Sequence, residues 1–399
     1  MSEIDTSCTL QKILNYYREV THTQRDSGTL FEELMIKYFE NEPKFKSEYK
    51  EVLTYADWAD KYADELGLPN KKDTGIDLVA TNHLGEHHAI QCKNYVPSHK
   101  MAKSDIDSFM SASGKSYFSY RIVISTVDEW TDNATQMVDN QNPPVSMINL
   151  TELEQSSINW DEFYKSEEIK FVEKYELRPH QQGAHNGVIN GLKEADRGKL
   201  ILACGTGKTF TSLRIAETMA GKGKKVLFLV PSLALLSQTL NEWTQQAKIP
   251  LKNFAVCSDS DVGKRGKGDD DRVIATRSDL DFPSTTNAKS LSNAIKALHD
   301  DEHMTVVYST YHSINVLSDA QMSHNVSEFD LIICDEAHRT TGATFDDEDE
   351  SAFVMVHSDN NIMGKKRLYM TATPRIYSED AKSTESVQLC SMDDEKLFG

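Results

Sequence analysis

The chain has 399 residues, of which 39% are hydrophobic and 26% are charged. This length and composition suit a globular protein of two or three domains and exclude collagen-like, disordered and disulfide-scaffold classes. A formal net charge of -19 argues against adhesion to nucleic acid over the whole surface but leaves room for a local basic groove.

Cysteine spacing and hydropathy bear on where the protein works. The six cysteines lie far apart and form no CxxC pair, which argues against a structural zinc site and a disulfide framework. The longest mostly apolar stretch, Val226 to Leu236, is too short to span a bilayer. We therefore expect a cytoplasmic protein that makes no use of a membrane.

Residues 1–160 alternate between helical and strand-like patterns. Apolar stripes from Leu30 to Tyr38 and from Val52 to Leu66 have helical spacing. A polar helix is predicted from Ser104 to Ser113. Short apolar runs predict strands at Gly75–Ala80, His88–Lys93, Arg121–Thr126 and Val145–Leu150. These elements predict a mixed α/β domain around a small sheet.

Two of these strands carry a candidate nuclease site. Asp77 lies within the first strand, and Gln91 and Lys93 share one face near the end of the second. A hairpin would bring all three together, as metal-dependent phosphodiester cleavage requires. Asp77 and Gln91 would bind Mg²⁺, with the Cys92 carbonyl as a further ligand. Lys93 would orient the water or stabilise the transition-state charge.

This arrangement resembles the PD-(D/E)xK nucleases, in the Mrr-type restriction subset where Gln replaces the second acid. The segment from Gly28 to Glu32 resembles the opening helix of that subset. The resemblance implies that Glu32 is an extra metal ligand or water-orienting acid. Glu33 remains the competitor, because rotating the helix by one position would exchange them. The spacing alone also fits a surface strand pair without catalytic function.

Residues 161–176 are charged and aromatic, and we place the linker between the two domains there. From residue 177 to 399, strands alternate with helices, which predicts a parallel sheet covered on both faces. A helix is predicted from Thr209 to Met219. The predicted strands are Lys199–Ala203, Lys225–Val230, Met304–Tyr308, Leu331–Cys334 and Arg367–Met370.

A glycine-rich segment follows the first of these strands and opens a helix. Glycines there let backbone N–H groups turn inward around phosphate oxygens, and the helix N-terminus favours an anion. Lys208 would reach the β- and γ-phosphates of ATP, and Thr209 would ligate Mg²⁺. The candidate ATP-binding residues of this segment are Gly205, Thr206, Gly207, Lys208 and Thr209.

The sequence Asp-Glu-Ala-His at 335–338 follows another apolar strand. An acid at the carboxyl end of a parallel strand lies in the crevice where ligands bind. Asp335 would hold Mg²⁺ through water, and Glu336 would act as the base that activates the attacking water. The two segments together predict a P-loop ATPase.

This half of the chain resembles superfamily-two helicases and translocases of the DEAH-bearing restriction-enzyme kind. Leu177–Gln181 resembles their adenine-reading motif, which implies that Gln181 contacts the base. Pro231–Ser232 and Val307–Tyr311 resemble DNA contact motifs, and Thr371–Pro374 resembles the motif that couples hydrolysis to movement. Such motors have two RecA-like lobes. Only the first is expected here, so we expect a fragment of a longer protein.

A nuclease followed by a motor resembles the type I restriction motor subunits and, still more, the single-polypeptide type ISP restriction–modification enzymes. The latter also carry the Met392–Glu395 segment. The resemblance implies double-stranded DNA as partner and downstream a second lobe, a methyltransferase using S-adenosylmethionine and a target-recognition domain. A second copy would be needed to cut both strands. The alternatives are a regulatory DNA-binding module on an ATPase, or a repair or plasmid helicase with a vestigial nuclease.

Overall fold

A computed structural model describes residues 9–68, 75–257, 277–343, 352–377 and 389–399. The chain forms two units. The first comprises residues 1–173 together with Arg277–Phe282, and the second comprises residues 174–276 and 283–399.

The first unit surrounds a five-stranded sheet with helices. Its described helices are α1 (Thr9–Val20), α2 (Gln24–Asn41), α3 (Pro43–Glu48), α4 (Tyr55–Leu66), α5 (Lys103–Ala112), α6 (Asp132–Val138), α7 (Leu150–Glu154) and α8 (Trp160–Ser166). Its strands are β1 (Tyr49–Thr54), β2 (Leu78–Asn82), β3 (His87–Lys93), β4 (Phe118–Ser125) and β5 (Val145–Ile148).

The sheet of the first unit is mixed, as the sequence predicts. Its order is β1-β2-β3-β4-β5. The first three strands pair antiparallel, and β3, β4 and β5 pair parallel. The turn between β2 and β3 is held by the Asn82 side chain, which accepts hydrogen bonds from the backbone N–H groups of Leu84 and Glu86.

The stripe from Val52 to Leu66, expected to be one helix, is divided in the structure. Val52 lies in β1, which pairs with β2, and the helix α4 begins only at Tyr55. The Thr54 side chain caps α4 by accepting a hydrogen bond from the N–H of Asp57. The apolar residues of β1 also fit helical spacing, so only their pairing with β2 decides the strand.

The segment placed between the domains, residues 161–176, begins inside a helix. Its first residues belong to α8, in which Trp160 and Phe163 are buried. The division between the units falls after Glu173, and α8 belongs to the first unit. The short segment Arg277–Phe282 also belongs there, although it lies far along the chain.

The second unit contains a seven-stranded sheet. Its described helices are α9 (Pro179–Glu194), α10 (Lys208–Met219), α11 (Leu233–Gln246), α12 (Ala288–Leu298), α13 (Ile314–Met322) and α14 (Glu395–Phe398). Its strands are β6 (Arg197–Ile201), β7 (Lys225–Val230), β8 (Leu251–Val256), β9 (Ser284–Thr285), β10 (Met304–Thr310), β11 (Leu331–Cys334) and β13 (Arg367–Thr371), and a separate two-stranded sheet pairs β12 (Gly342–Ala343) with β14 (Leu389–Cys390).

All pairings of the seven-stranded sheet are parallel, which confirms the predicted fold class. The strand order is β6-β13-β11-β7-β10-β8-β9. β10 and β11 are buried throughout and β7 is buried from Val226 onwards, as expected when helices cover both faces. The glycine-rich segment follows β6, and the Asp-Glu-Ala-His segment follows β11. In the sheet, β13 lies between β6 and β11.

Within the described part of the chain, we find no helix with the length and apolarity needed to cross a bilayer.

Candidate nuclease and nucleotide sites

The β2–β3 hairpin brings together the residues of the candidate nuclease site. Asp77 lies one residue before β2 and not inside a strand as predicted, but its N–H still donates to the Ile90 carbonyl at 3.1 Å. The Asp77 carboxylate accepts hydrogen bonds from the Cys92 N–H at 2.6 Å and from the Gln91 side-chain amide. The carboxylate is therefore fixed at the open end of the hairpin.

Gln91 is almost completely buried, with 3% of its surface exposed. Its Nε2 donates to Asp77, whereas its Oε1 has no hydrogen-bond partner among the described residues. A buried amide oxygen without a partner costs free energy unless something else binds it. Beside a carboxylate, it forms a pair of hard oxygen atoms suited to Mg²⁺. The two side chains therefore fit a magnesium ion.

The described residues contain no cluster of three or more His, Cys, Asp or Glu side chains arranged for a metal. A magnesium ion at the hairpin would therefore depend on the Gln91 amide and a backbone carbonyl as well as on Asp77. Mg²⁺ accepts such a set because it retains several water ligands.

The helix α2 distinguishes Glu32 from Glu33. Burial raises the pKa of the Cys92 thiol well above its usual value, and the charges of Asp77 and Glu32 raise it further. The charge of Glu32, which is partly buried, therefore reaches the thiol next to Gln91. Glu33 is exposed, and its charge acts instead on Tyr17, whose pKa is raised mainly by burial.

Lys93 ends β3 on the same open end, and the residue after it is held by a group that the sequence did not reveal. Arg18 of α1 donates to Asn94 Oδ1 at 2.9 Å and to the Tyr95 carbonyl at 2.6 Å. Asn94 in turn donates to the Ser27 hydroxyl at 3.1 Å at the start of α2. No local pattern in α1 marks Arg18, because its partners lie more than seventy residues away along the chain.

The glycine-rich segment of the second unit has the backbone of a phosphate loop. Gly205 and Gly207 have φ of 73° and 80°, a region that favours glycine. The helix α10 begins at Lys208, directly after this turn. The Gln181 amide donates to the Thr206 carbonyl at 3.0 Å, so the expected adenine-reading residue contacts the loop itself.

Asp335 and Glu336 follow β11 and lie beside this loop. Lys208 Nζ is 3.9 Å from Glu336 Oε1. Burial, and next the neighbouring Glu336 charge, raise the pKa of Asp335 to about 6. Asp335 Oδ1 is buried and has no hydrogen-bond partner among the described residues. A buried carboxylate oxygen next to a phosphate loop fits a magnesium ion bound with nucleotide. Thr209, the other expected ligand, opens α10.

The last residue of the Asp-Glu-Ala-His segment connects two strands of the sheet. His338 Nδ1 lies 3.0 Å from the Thr371 hydroxyl at the end of β13 and 3.3 Å from Glu336 Oε2. Burial lowers the pKa of His338, which keeps the ring neutral near pH 7. The Thr371 hydroxyl also accepts from the Thr373 N–H at 3.2 Å. The ring therefore links the proposed base to the segment 371–374.

The two expected DNA-contact motifs make the following contacts inside the second unit. All side chains of Val307–Tyr311 are buried, and the Tyr311 hydroxyl donates to the Asp335 carbonyl at 2.8 Å. The side chains of this motif therefore lie in the core of the second unit, where Tyr311 supports the residue that opens the Asp-Glu-Ala-His segment. Ser232 caps α11 through the N–H of Leu235.

Comparison with protein families matches both units. A restriction endonuclease family of the Mrr type matches residues 40–170. The family described as type III restriction enzyme, res subunit, matches residues 174–376, about half of the chain.

Individual relatives match different shares of the chain. A solved structure described as the ATP-dependent type ISP restriction-modification enzyme LlaBIII bound to DNA is 38% identical, with a TM-score of 0.74 over 97% of this chain and 24% of its own. A nuclease-deletion mutant of the type ISP enzyme LlaGI with a DNA substrate mimic is 41% identical over 56% of this chain and 19% of its own, with a TM-score of 0.43. A probable helicase A859L of African swine fever virus is 30% identical over 64% of this chain and 27% of its own. The chain thus spans about a quarter of the length of these relatives.

Proposed function

We propose a function from the premise that the chain belongs to the type III restriction enzyme, res subunit, family and carries an Mrr-type restriction endonuclease domain ahead of it. The proposed function is Mg²⁺-dependent cleavage of DNA phosphodiester bonds, coupled to ATP-driven translocation on double-stranded DNA. Its biological purpose would be defence against foreign DNA.

The observation that carries the nuclease proposal is the group at the open end of the β2–β3 hairpin. Asp77 and Gln91 Oε1, which no described residue hydrogen-bonds, would hold Mg²⁺, and the Glu32 charge acts on the neighbouring Cys92. Such an ion, when bound, polarises the scissile phosphate and lowers the pKa of a bound water. Lys93 supplies a positive charge at the same end, where it would stabilise the negative charge of the transition state.

The ATPase proposal depends on the two strand ends of the second unit. The backbone of Gly205 to Gly207 and the start of α10 would hold the phosphates of ATP. Lys208 would neutralise the β- and γ-phosphates and release Glu336, which then accepts the proton of the attacking water. The change at Glu336 would reach residues 371–374 through His338, which suits a coupling of hydrolysis to movement.

Functions beyond the two described units are proposals for the whole enzyme. Double-stranded DNA would be its partner. Cleavage of both strands would need a second copy, because we assign one candidate nuclease site within the described residues. A second motor lobe, a methyltransferase with S-adenosylmethionine and a target-recognition domain would complete it. Support comes from the DNA-bound LlaBIII enzyme, about four times as long as the matched region.

The experiment that tests the nuclease is nicking of supercoiled plasmid DNA by this chain in Mg²⁺. We expect Asp77→Asn and Lys93→Ala each to lower the nicking rate by about a hundredfold or more. The matched control is Asp107→Asn, at an exposed acid on α5 of the same unit. Unchanged nicking by Asp77→Asn would refute the assigned site, and a folded chain without nicking would favour a vestigial nuclease in a repair or plasmid helicase.

The motor is tested with Lys208→Ala in the enzyme that contains all of its domains. We expect ATP hydrolysis and ATP-dependent DNA cleavage to be lost while the thermal unfolding transition is kept. The control is Lys222→Ala, whose side chain pairs with Glu302 on the surface. Continued ATP-driven cleavage by Lys208→Ala would contradict the assigned nucleotide site.

A further inference from the structure

We propose that the turn that leaves the nuclease hairpin, residues 94–101, binds the DNA duplex beside the phosphate that is cut. This turn, here called the exit turn, begins at the residue after Lys93. The inference rests on the proposed nuclease function and adds a DNA-contacting element to it.

The exit turn is held firmly where it begins. The Thr126 hydroxyl accepts from the Tyr95 N–H at 2.8 Å and donates to the Tyr95 carbonyl at 2.7 Å. Arg18 donates to the same carbonyl and to Asn94 Oδ1. Because Thr126 follows β4 and Arg18 belongs to α1, two separate elements fix this end of the turn.

The far end of the exit turn is fixed as well. His99 Nε2 lies 3.0 Å from Asp105 Oδ2, and the same oxygen caps α5 by accepting from the Ala102 N–H at 2.8 Å. The rings of Tyr95 and His99 pack with centroids 3.9 Å apart. Met101 is buried, and its N–H donates to the Glu129 carbonyl at 2.9 Å. The turn is therefore a rigid projection.

The tip of this rigid turn is apolar and exposed. Val96 leaves 53% of its surface in contact with water, and Pro97 and Ser98 are exposed beside it. A hydrogen bond of 2.9 Å from the His99 N–H to the Val96 carbonyl closes the tip. The strand and helix contacts that fix the turn do not bury Val96. Single exposed apolar residues are common on protein surfaces, so what distinguishes Val96 is its fixed backbone close to Lys93.

The position and charge of the tip favour DNA as that partner. A scissile phosphate at Asp77 and Lys93 would place the neighbouring groove within reach of the turn, because the turn starts at the residue after Lys93. Proteins that bind the minor groove insert small apolar side chains between base steps and place cations on the flanking phosphates. Val96 and Pro97 supply the apolar surface. The exposed Lys103 supplies a cation. Lys100 supplies a second one when a DNA phosphate replaces its exposed partner Glu129, which lies 3.7 Å away.

The hairpin offers a matched control at its opposite end. Leu84 lies in the β2–β3 turn, far along both strands from Lys93, and it is also an exposed apolar residue, at 40%. The same substitution at Val96 and at Leu84 therefore replaces an exposed apolar side chain in each case. Only the change at Val96 should alter DNA contact.

Photocrosslinking tests the proposal directly on the 399-residue chain. We would place p-benzoylphenylalanine at Val96 in one protein and at Leu84 in another, and irradiate each with a labelled DNA duplex in Ca²⁺ to prevent cleavage. We expect a crosslink to DNA from position 96 and none from position 84. A crosslink from position 96 to a second copy of the chain and not to DNA would overturn the proposal in favour of a protein interface.

Kinetics provide a second, independent test. We expect Val96→Asp to raise the Kd for duplex DNA and to lower Mg²⁺-dependent nicking at limiting DNA about tenfold, with Leu84→Asp unchanged and both proteins equally stable to heat. Equal nicking by Val96→Asp and wild type refutes the exit turn as a DNA contact. Failure of the proposed nuclease site itself would give a different result, because the Asp77→Asn variant would then nick DNA as fast as the wild type.

Discussion

At the scale of single residues, each proposed metal site contains a buried oxygen atom without a hydrogen-bond partner among the described residues. These atoms are Gln91 Oε1 in the first unit and Asp335 Oδ1 in the second. A native fold tolerates such atoms at a cost of about 1–3 kcal/mol each, and a bound cation removes that cost. Each site therefore lowers the free energy of unfolding slightly in the absence of its ligand and recovers it when the ligand binds.

Gln91→Glu tests this link between stability and metal binding at the nuclease site. The substitution replaces the amide that donates to Asp77 by a second carboxylate, so we expect the metal-free protein to lose about 1–3 kcal/mol of unfolding free energy. Added Mg²⁺ should then stabilise the variant more than the wild type, as measured by thermal unfolding with and without the ion. The control is Gln136→Glu, at an exposed glutamine of α6. An equal response to Mg²⁺ in variant and wild type would contradict the assigned ligand.

Asp335 predicts a pH dependence of nucleotide binding. Its pKa in the folded chain is about 6, above the ordinary value of 3.8, so ionising it costs the fold about 3 kcal/mol. That cost is present above pH 6 and disappears as the pH falls from about 6 towards 3.8. Binding of Mg²⁺ with ATP needs the ionised form.

Fluorescent ATP-analogue titrations between pH 5 and 8 therefore should show Mg²⁺-dependent affinity falling as the pH drops through about 6. The variant Asp335→Asn should bind weakly throughout and show no step in this range. A step that persists in Asp335→Asn would assign the titration to another group.

At the scale of elements, the start of α10 depends on close contact with α9. A Cβ atom at Gly207 would lie 2.4 Å from Gln181 Nε2, and the φ of 80° already disfavours any other residue. A Cβ at Gly205 would meet nothing within 4 Å, although its φ of 73° is similar. The two glycines therefore separate backbone strain from contact with the expected adenine-reading residue.

Gly207→Ala should weaken ATP binding more than Gly205→Ala. Both variants carry a left-handed backbone penalty of about 1–2 kcal/mol. Only Gly207→Ala also displaces the Gln181 amide from the Thr206 carbonyl, so we expect at least about tenfold greater loss of affinity in a titration. Equal affinities of the two variants would show that Gln181 does not shape the loop.

At the scale of the whole molecule, the first unit includes a segment that the chain reaches only after β8. Within this unit, Asp281 forms a buried ion pair with Lys44 of α3, and Phe282 packs against Phe45. The Ser146 hydroxyl of β5 donates to the Leu280 carbonyl. The core of the nuclease unit is thus completed by residues that lie more than a hundred positions from its other elements.

Asp281→Ala should destabilise the first unit, because it leaves the buried Lys44 ammonium without this carboxylate. Such a loss costs about 3–5 kcal/mol. Hydrogen exchange of the β3 and β4 amides should accelerate, whereas the β7 and β10 amides should change less. The control Asp279→Ala removes an exposed acid of the same segment. A Lys44→Met, Asp281→Leu double variant should recover part of the stability, and equal protection in Asp281→Ala and wild type would refute this role.

The sequence by itself determined both fold classes and most of the candidate site residues. Their signals are local: apolar periodicity defines strands and helices, and glycines followed by Lys208 and Thr209 define a phosphate loop. Predicted boundaries agree with the observed ones for β7 and β11 and lie two residues late for β6. Such short-range patterns need no tertiary contacts to be read.

Only the tertiary structure decided which side chains meet. The pairing of β1 with β2 moved the start of the predicted helix from Val52 to Tyr55. The rotation of α2 left Glu32 partly buried, with its charge acting on Cys92, and left Glu33 exposed. The contact of His338 with Thr371 follows from strand order, because β13 lies beside β11. Asp281 lies in the first unit for the same physical reason. Packing brings together residues that are far apart along the chain, and no local sequence pattern indicates such a contact.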